Sequence, residues 1–197
     1  MRRQVIGFLQ RNAVFKKLVY DLGRWRSAQT IEKIKKYLRR GEKILEFGSG
    51  TCNTTELITE KGLKVTPLDI VNLSFVDGIS PVIYGGNKTP FKQNEFDMVT
   101  ILCVLHHTKD PRQVIQEAKR VAKRILIVEE IYENQLRKYA TFIWDSLTNL
   151  EFAGHPHSNK TDSEWRDLFS ELGLKVKSAD YMTDFGFLRV VVYYLQG

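Results

Sequence analysis

The 197 residues are enough for one domain with a buried core, and 43% hydrophobic and 27% charged residues are typical of a globular chain. No run of about 18 apolar residues occurs, which excludes a spanning helix, and polar residues 10–12 argue against a secretory signal. The two cysteines, Cys52 and Cys103, share no metal spacing, so we expect a reducing, cytoplasmic compartment without disulfides.

The positive charge is concentrated in one segment. Residues 1–43 carry 13 Lys and Arg against 3 Asp and Glu, a net charge of +10, which leaves −3 on the other 154 residues. A protein that binds nucleic acid more often spreads its positive charge over the binding face. The distribution therefore argues against nucleic acid as a partner.

Two helices are predicted within this basic segment. The first runs from about residue 4 to 22, and the second from Ser27, as its N-cap, to Arg39. The first rests on apolar residues at three- and four-residue steps: Val5, Phe8, Phe15, Val19 and Leu22.

From residue 43 onward, short apolar runs alternate with helical segments. Strands are predicted at 43–47, 64–68, 81–84, 96–102 and 125–128, with helices at 53–61 and 111–121 and a short helix before the third strand. Strands that alternate with helices predict a parallel sheet with helices on both faces.

The end of the chain follows another pattern. Helices are predicted at 133–150 and 162–172, followed by strands at 174–181 and 187–194. The gap between these strands is too short for a helix, so they must pair antiparallel. We therefore expect a Rossmann-like α/β fold. Its seven-stranded sheet has five parallel strands closed by an antiparallel C-terminal pair, helices on both faces and extra N-terminal helices.

A glycine turn follows the first predicted strand. Gly48 and Gly50 permit a tight turn and let a ligand approach backbone N–H groups at a helix N-terminus. Glu46 ends that strand, where a carboxylate can meet a cationic group, and Asp69 ends the next, where an acid can accept ribose hydroxyls. No lysine follows the glycines, and an acid would repel a pyrophosphate. The turn therefore predicts a nucleoside with a positive appendage.

These residues carry a family resemblance. Residues 44–51, Ile-Leu-Glu-Phe-Gly-Ser-Gly-Thr, resemble motif I of class I S-adenosylmethionine-dependent methyltransferases. Residues 89–99 resemble the L-P-F-x-x-x-x-F-D-x-V segment of their small-molecule, "type 11" branch, and the match covers roughly residues 27–130. The resemblance implies an enzyme with S-adenosylmethionine as cofactor and S-adenosylhomocysteine as product.

The resemblance also implies roles for individual residues. Glu46, Gly48 and Gly50 are assigned to the methionyl side of the cofactor, and Asp69 to its ribose. It implies a single domain over residues 1–197, with basic helices at 1–40, a cofactor-binding half at 41–130 and a substrate-side half at 131–197.

Further cofactor contacts are expected at the neighbouring strand ends. The resemblance places Ile70 against the adenine and Leu102 near the sulfonium. Three places depart from the family pattern, one of which is residues 122–124, Ala-Lys-Arg, in place of a Pro-Gly-Gly turn. Gly85 replaces the usual acid or amide, and Asn87 is the expected substitute for it. Cys52 replaces the third glycine, so a slightly wider helix start is expected.

Two histidine pairs are candidates for general-base chemistry, because histidine titrates near neutral pH. His106 and His107 follow the fourth strand; His106 is either catalytic or, as is favoured, a structural group bonded to loop backbone. His155 lies in a polar loop of the segment expected to form the substrate wall, as a general base or a solvated side chain. A metal site at His155 and His157 lacks a nearby carboxylate cluster, so no metal is expected.

The favoured function is methyl transfer to an oxygen or carbon of a small, apolar or aromatic molecule. An aromatic stripe within residues 132–150 is expected to be mostly core and partly substrate cavity. A nucleic-acid methyltransferase is disfavoured, because residues 102–105, Leu-Cys-Val-Leu, lack the Asn-Pro-Pro-Tyr or Pro-Cys turns of such enzymes. A non-catalytic cofactor-binding module and a nicotinamide dehydrogenase are the remaining alternatives.

The basic N-terminal helix has three candidate roles. The resemblance favours a solvated lid over the cofactor. The helix could instead make a peripheral contact with an anionic membrane and deliver a lipid-like substrate. Contact with nucleic acid is the third. The sequence carries no indication of an oligomeric state.

Overall fold

The structure is a computed structural model that describes residues 2–132, 159–184, 186 and 188–197. The chain divides into two compact units, Met1–Pro90 and Phe91–Gly197. Among the helices described, none combines the length and the apolar composition that crossing a bilayer requires.

The first unit contains three helices and three parallel strands. They are α1 (Arg2–Arg11), α2 (Ala13–Ile34) with a 3₁₀ turn at Lys35–Tyr37, β1 (Lys43–Phe47), α3 (Asn53–Glu60), β2 (Lys64–Asp69) and β3 (Val82–Ile83). β1 pairs with β2 and β2 with β3, both in parallel. Ile44 and Leu45 of β1 are fully buried, as expected for a strand covered on both faces.

The second unit ends in the expected antiparallel pair. Its elements are β4 (Met98–Leu102), α4 (Pro111–Val121), β5 (Arg124–Ile131), α5 (Asp162–Glu171), β6 (Lys175–Asp184) and β7 (Leu188–Gln196). β4 and β5 are parallel, whereas β7 runs antiparallel to both β5 and β6. The strand order of the seven-stranded sheet is β3-β2-β1-β4-β5-β7-β6, which confirms the predicted fold class.

Local sequence signals account for two helix starts in this unit. Asp110 caps α4 by accepting the N–H of Gln113 at 3.3 Å, and Pro111 occupies the first turn. Thr161 and Glu164 form a capping box at the start of α5. The predicted helix at 133–150 lies outside the described residues.

The predicted boundaries of the N-terminal helices are wrong. The first helix breaks at Asn12, whose side chain caps α2 by accepting the N–H groups of Val14 and Phe15. Ser27 is not an N-cap: it is buried within α2, and its Oγ accepts a hydrogen bond from Thr54 Oγ1 at 3.0 Å. Both residue types can cap a helix, and only contacts distant in sequence decide which one does.

The prediction of a short helix before β3 is also wrong, because residues 70–81 contain turns, bends and irregular backbone but no helix. The predicted strand at 125–128 is longer than expected and reaches Ile131. This extension brings Glu129 into the sheet.

Gly23 allows α2 to approach α3 closely. A Cβ at this position would lie 2.3 Å from Oδ1 of Asn53, far inside van der Waals contact. Asn53 is fully buried and its Nδ2 donates to the carbonyl of Tyr20 at 3.4 Å, so its side chain has little freedom to move away.

We expect Gly23→Ala to lower the free energy of unfolding by about 1–3 kcal/mol, because the added methyl group overpacks this contact. Gly7→Ala in α1 is the matched control, since its Cβ would meet only Arg11 Nη2, at 3.9 Å. The control should be neutral or more stable by up to about 1 kcal/mol. Urea unfolding checks both variants, and equal effects would contradict the close approach.

Candidate cofactor-binding site

The turn after β1 is held by backbone hydrogen bonds. The N–H groups of Gly48 and Ser49 both donate to the carbonyl of Leu68, at 2.8 and 3.1 Å. Gly48 and Gly50 have φ values of 75° and 51°, in the left-handed region that favours glycine. A Cβ at Gly50 would meet nothing within 4 Å, so the turn has open space beside it.

Asp69 connects the end of β2 to this turn. Its Oδ2 accepts the N–H of Gly50 at 2.9 Å, and its Oδ1 accepts the N–H of Ile70 at 2.7 Å. The side chain is buried, and Oδ1 also accepts the N–H of Val71 at 3.4 Å, so the second lone pair that stays available is on Oδ2. The carboxylate thus organises the turn and retains acceptor capacity for the ribose hydroxyls predicted from the sequence.

Glu46 is a buried carboxyl group at the end of β1. It is 3% exposed and accepts a hydrogen bond from Thr55 Oγ1. Burial raises the pKa of Glu46 to about 7; the Thr55 hydrogen bond opposes this rise, and the nearby charge of Asp69 adds to it. Within the described part of the chain, no Lys or Arg forms an ion pair with it.

The residues present fit S-adenosylmethionine. Glu46 is a buried carboxyl group with Asp69 as an acidic neighbour, and no cation pairs with it among the described residues. The amino group of the methionyl moiety would supply that cation. Open space at Gly50 and the spare lone pair on Oδ2 of Asp69 suit the rest of the nucleoside.

The raised pKa makes the stability of the ligand-free protein depend on pH. Glu46 ionises near pH 7 in the folded protein and near its usual pKa of 4.5 in the unfolded chain, so the folded protein holds this proton more tightly. The protonated Glu46 carboxyl therefore makes its full contribution to the free energy of unfolding below about pH 4.5. As pH rises through 7, the free energy of unfolding should fall by about 3 kcal/mol on account of this group.

Glu46→Gln should remove that part of the pH dependence, as measured by urea unfolding at about pH 5 and about pH 7.5. Glu60→Gln, at an exposed position of α3, leaves the Glu46 carboxyl in place and should keep the decline. If the Glu46→Gln and wild-type curves ran parallel across this range, the raised pKa would be contradicted.

Two residues predicted near the adenine lie at the ends of β2 and β3. Ile70 is 59% exposed although it is a large apolar side chain directly after β2. A Cβ on Gly86 would lie 4.0 Å from Ile70 Cγ2, so the two positions are neighbours. Asn87 is exposed and follows in the same loop. Their contacts with adenine stay a prediction.

Cys52 differs from the sequence expectation. It is fully buried and precedes α3 with φ 62° and ψ 9°, a left-handed conformation that non-glycine residues rarely adopt. The third glycine of the family pattern is thus replaced at a position where the backbone conformation itself favours glycine. Cys103, after β4, also has a positive φ, of 56°.

Cys52→Gly should have a free energy of unfolding about 1 kcal/mol higher than that of Cys52→Ala. Both substitutions remove the buried sulfur atom, so their difference compares the cost of a left-handed backbone with the burial of the alanine Cβ. Urea unfolding of the two variants measures it. Equal stability, or a more stable alanine variant, would contradict a strained backbone at this position.

The second unit holds the remaining predicted residues. Leu102 is half-buried at the end of β4, opposite Val128 of β5. Its expected place near the sulfonium stays a prediction. His155 and His157, and the aromatic stripe of residues 132–150 apart from Tyr132, lie outside the described residues.

His106 is buried and lies against Glu129, an acid that the sequence did not predict at this position. Its ring is 1% exposed, and Nδ1 lies 2.6 Å from Oε2 of the fully buried Glu129. The other oxygen of Glu129 accepts the N–H groups of Val104 and Leu105, at 3.0 and 2.7 Å. This geometry favours the structural alternative for His106. The predicted strand ended before residue 129, so no signal in the sequence linked the two residues.

Comparisons with known proteins give a family match and a shared fold. The family described as "Methyltransferase domain" matches residues 45–125. An uncharacterized protein of Methanocaldococcus jannaschii is 35% identical over 95 residues, 48% of this chain and 45% of that protein. The demethylmenaquinone methyltransferase of Corynebacterium glutamicum is 32% identical over 90 residues, 44% of this chain and 39% of that protein. The chain thus spans less than half the length of both relatives.

The fold is shared with a solved methyltransferase. Magnesium protoporphyrin IX methyltransferase from Synechocystis, solved with bound S-adenosylhomocysteine, has a TM-score of 0.61 at 14% identity and covers 94% of this chain and 88% of that chain. Residues 45–125 thus match a methyltransferase family, which confirms the predicted resemblance to S-adenosylmethionine-dependent methyltransferases.

Proposed function

We propose that the protein transfers a methyl group from S-adenosylmethionine to an oxygen or carbon atom of a small, apolar or aromatic molecule. The observation that carries the proposal is the buried carboxyl group of Glu46, which lies beside the glycine turn with no cation paired to it among the described residues.

The electrostatics of the turn favour this cofactor over a dinucleotide. Glu46 and Asp69 are both buried acids within one unit, and the pyrophosphate of a nicotinamide cofactor would bring further negative charge to them. A cationic amino group would instead stabilise the ionised form of Glu46 and lower its pKa. The same interaction gives the cofactor its orientation.

Each residue of the turn has a defined task in the proposed function. Glu46 accepts hydrogen bonds from the ammonium group, Asp69 accepts from the ribose hydroxyls, and Ile70 covers one face of the adenine. When bound, S-adenosylmethionine supplies an activated methyl group on a sulfonium centre. The remaining work of the chain is to align the acceptor and exclude water, with Leu102 as the apolar neighbour expected at the sulfonium.

The proposed acceptor class rests on two further observations. The relative from Corynebacterium glutamicum is named for the methylation of demethylmenaquinone, an aromatic and apolar molecule. Outside residues 1–43 the net charge is −3, which offers little attraction for the phosphates of nucleic acid.

Calorimetry at about pH 8, where Glu46 is ionised, tests the cofactor. We expect S-adenosylmethionine and S-adenosylhomocysteine to bind and NAD not to bind. Glu46→Gln and Asp69→Asn should each weaken S-adenosylmethionine at least about tenfold, because each loses a charge-assisted hydrogen bond. Asp77→Asn, at an exposed carboxylate, is the matched control and should bind as wild type does.

Tight binding of NAD, or no binding of either adenosyl ligand, would contradict the proposed cofactor. The acceptor class is tested with labelled S-adenosylmethionine and demethylmenaquinone, from which label should enter the solvent-extractable product. Transfer of label to RNA or DNA instead would contradict a small-molecule acceptor.

A further inference from the structure

Helix α2 packs on α3 through one face. On that face, Tyr20 donates its O–H to Glu56 at 2.9 Å, and Arg24 forms an ion pair with the same carboxylate at 2.6 Å. Further along the face, Ile31 and Ile34 are buried. These positions recur at three- and four-residue steps and so form one stripe of the helix.

The opposite stripe of α2 is apolar and exposed. We call it the outer face, and it also includes Phe8 of α1, whose ring centroid lies 5.9 Å from that of Phe15. The exposed fractions of its side chains range from 43% to 76%. Its members on α2 are Val14, Phe15, Leu18, Leu22 and Trp25.

This concentration of exposed apolar side chains is local. Six of the nine large hydrophobic residues that are exposed in the described part of the chain belong to the outer face. Single exposed apolar residues are ordinary, whereas a clustered set marks a surface that another apolar phase covers.

The charges beside the outer face are basic. Arg11, Lys17 and Arg26 are exposed, and Lys17 and Arg26 lie on opposite flanks of the apolar stripe at the helical period. Asp21 pairs with Lys17 at 2.6 Å and Glu32 with Lys35 at 2.6 Å, so the positive charge that is not paired among the described residues beside the outer face belongs to Arg11 and Arg26. The segment of residues 1–43 has a net charge of +10.

We propose that the outer face lies on an anionic lipid surface, with its apolar side chains at the boundary between headgroups and acyl chains. An apolar helix face with aromatic residues, bordered by Lys and Arg, is complementary to such a surface in both polarity and charge. The proposal does not depend on methyl transfer.

The other candidate occupants fit these charges less well. A symmetric dimer through this face would place two copies of a segment with a net charge of +10 against each other. Nucleic acid would meet the basic residues through its phosphates and leave the apolar side chains uncovered. A lipid surface covers the apolar side chains and neutralises the basic ones.

Flotation of the full chain with vesicles tests the proposal. Phosphatidylcholine vesicles containing about 30% phosphatidylglycerol should bind the protein at least about tenfold more strongly than pure phosphatidylcholine vesicles, and about 0.5 M NaCl should reduce this binding. Leu18→Gln combined with Leu22→Gln should reduce it at least about tenfold, because the inserted apolar area is lost. Ile83→Gln, equally exposed but on β3, is the control and should bind as wild type.

Four results would overturn the proposal. Two of them need only the wild-type protein. In the first it binds neither kind of vesicle, and in the second it binds both kinds equally well. Unchanged binding by a folded double-glutamine variant would show that charge alone attracts the protein. A dimer seen by sedimentation in wild type and lost in the double variant would assign the outer face to a second copy of the chain.

Discussion

In each unit, a buried carboxylate on one strand accepts at least one backbone N–H of the loop that follows a neighbouring parallel strand. Asp69 of β2 does this for the turn after β1, and Glu129 of β5 does it for the loop after β4. A buried charge is tolerated only when such hydrogen bonds replace water, and a loop is fixed only when its N–H groups are satisfied. Each contact meets both requirements, so the turn after β1 and the loop after β4 each depend on one buried acid.

Glu46 forms the contrast to these two acids. It has Thr55 rather than backbone N–H groups as its partner, and burial raises its pKa. The cost of burying this group is therefore not offset within the described structure, as is common where a ligand completes a site. Cys52 adds a second unfavourable feature at the same turn, a left-handed backbone on a residue with a Cβ. The burial of Ile44, Leu45 and Phe47 of β1 opposes both costs.

The sequence by itself determined the order and type of most elements. Apolar runs of strand length alternating with helical periods gave β1, β2, β4 and their helices, and the short gap between β6 and β7 required an antiparallel pair. It also placed Glu46, Gly48, Gly50 and Asp69 at strand ends, because a period-two or continuous apolar pattern shows where a strand stops.

Only the tertiary structure decided which side chains meet and which faces are covered. The helical period places Phe8, Phe15 and Leu22 on one stripe but does not say whether that stripe faces the core, and the structure exposes all three while burying Ser27. The pairing of His106 with Glu129 likewise joins residues far apart in the chain. Local patterns record periodicity and backbone preference, whereas burial and side-chain pairing depend on contacts between distant segments that no local pattern contains.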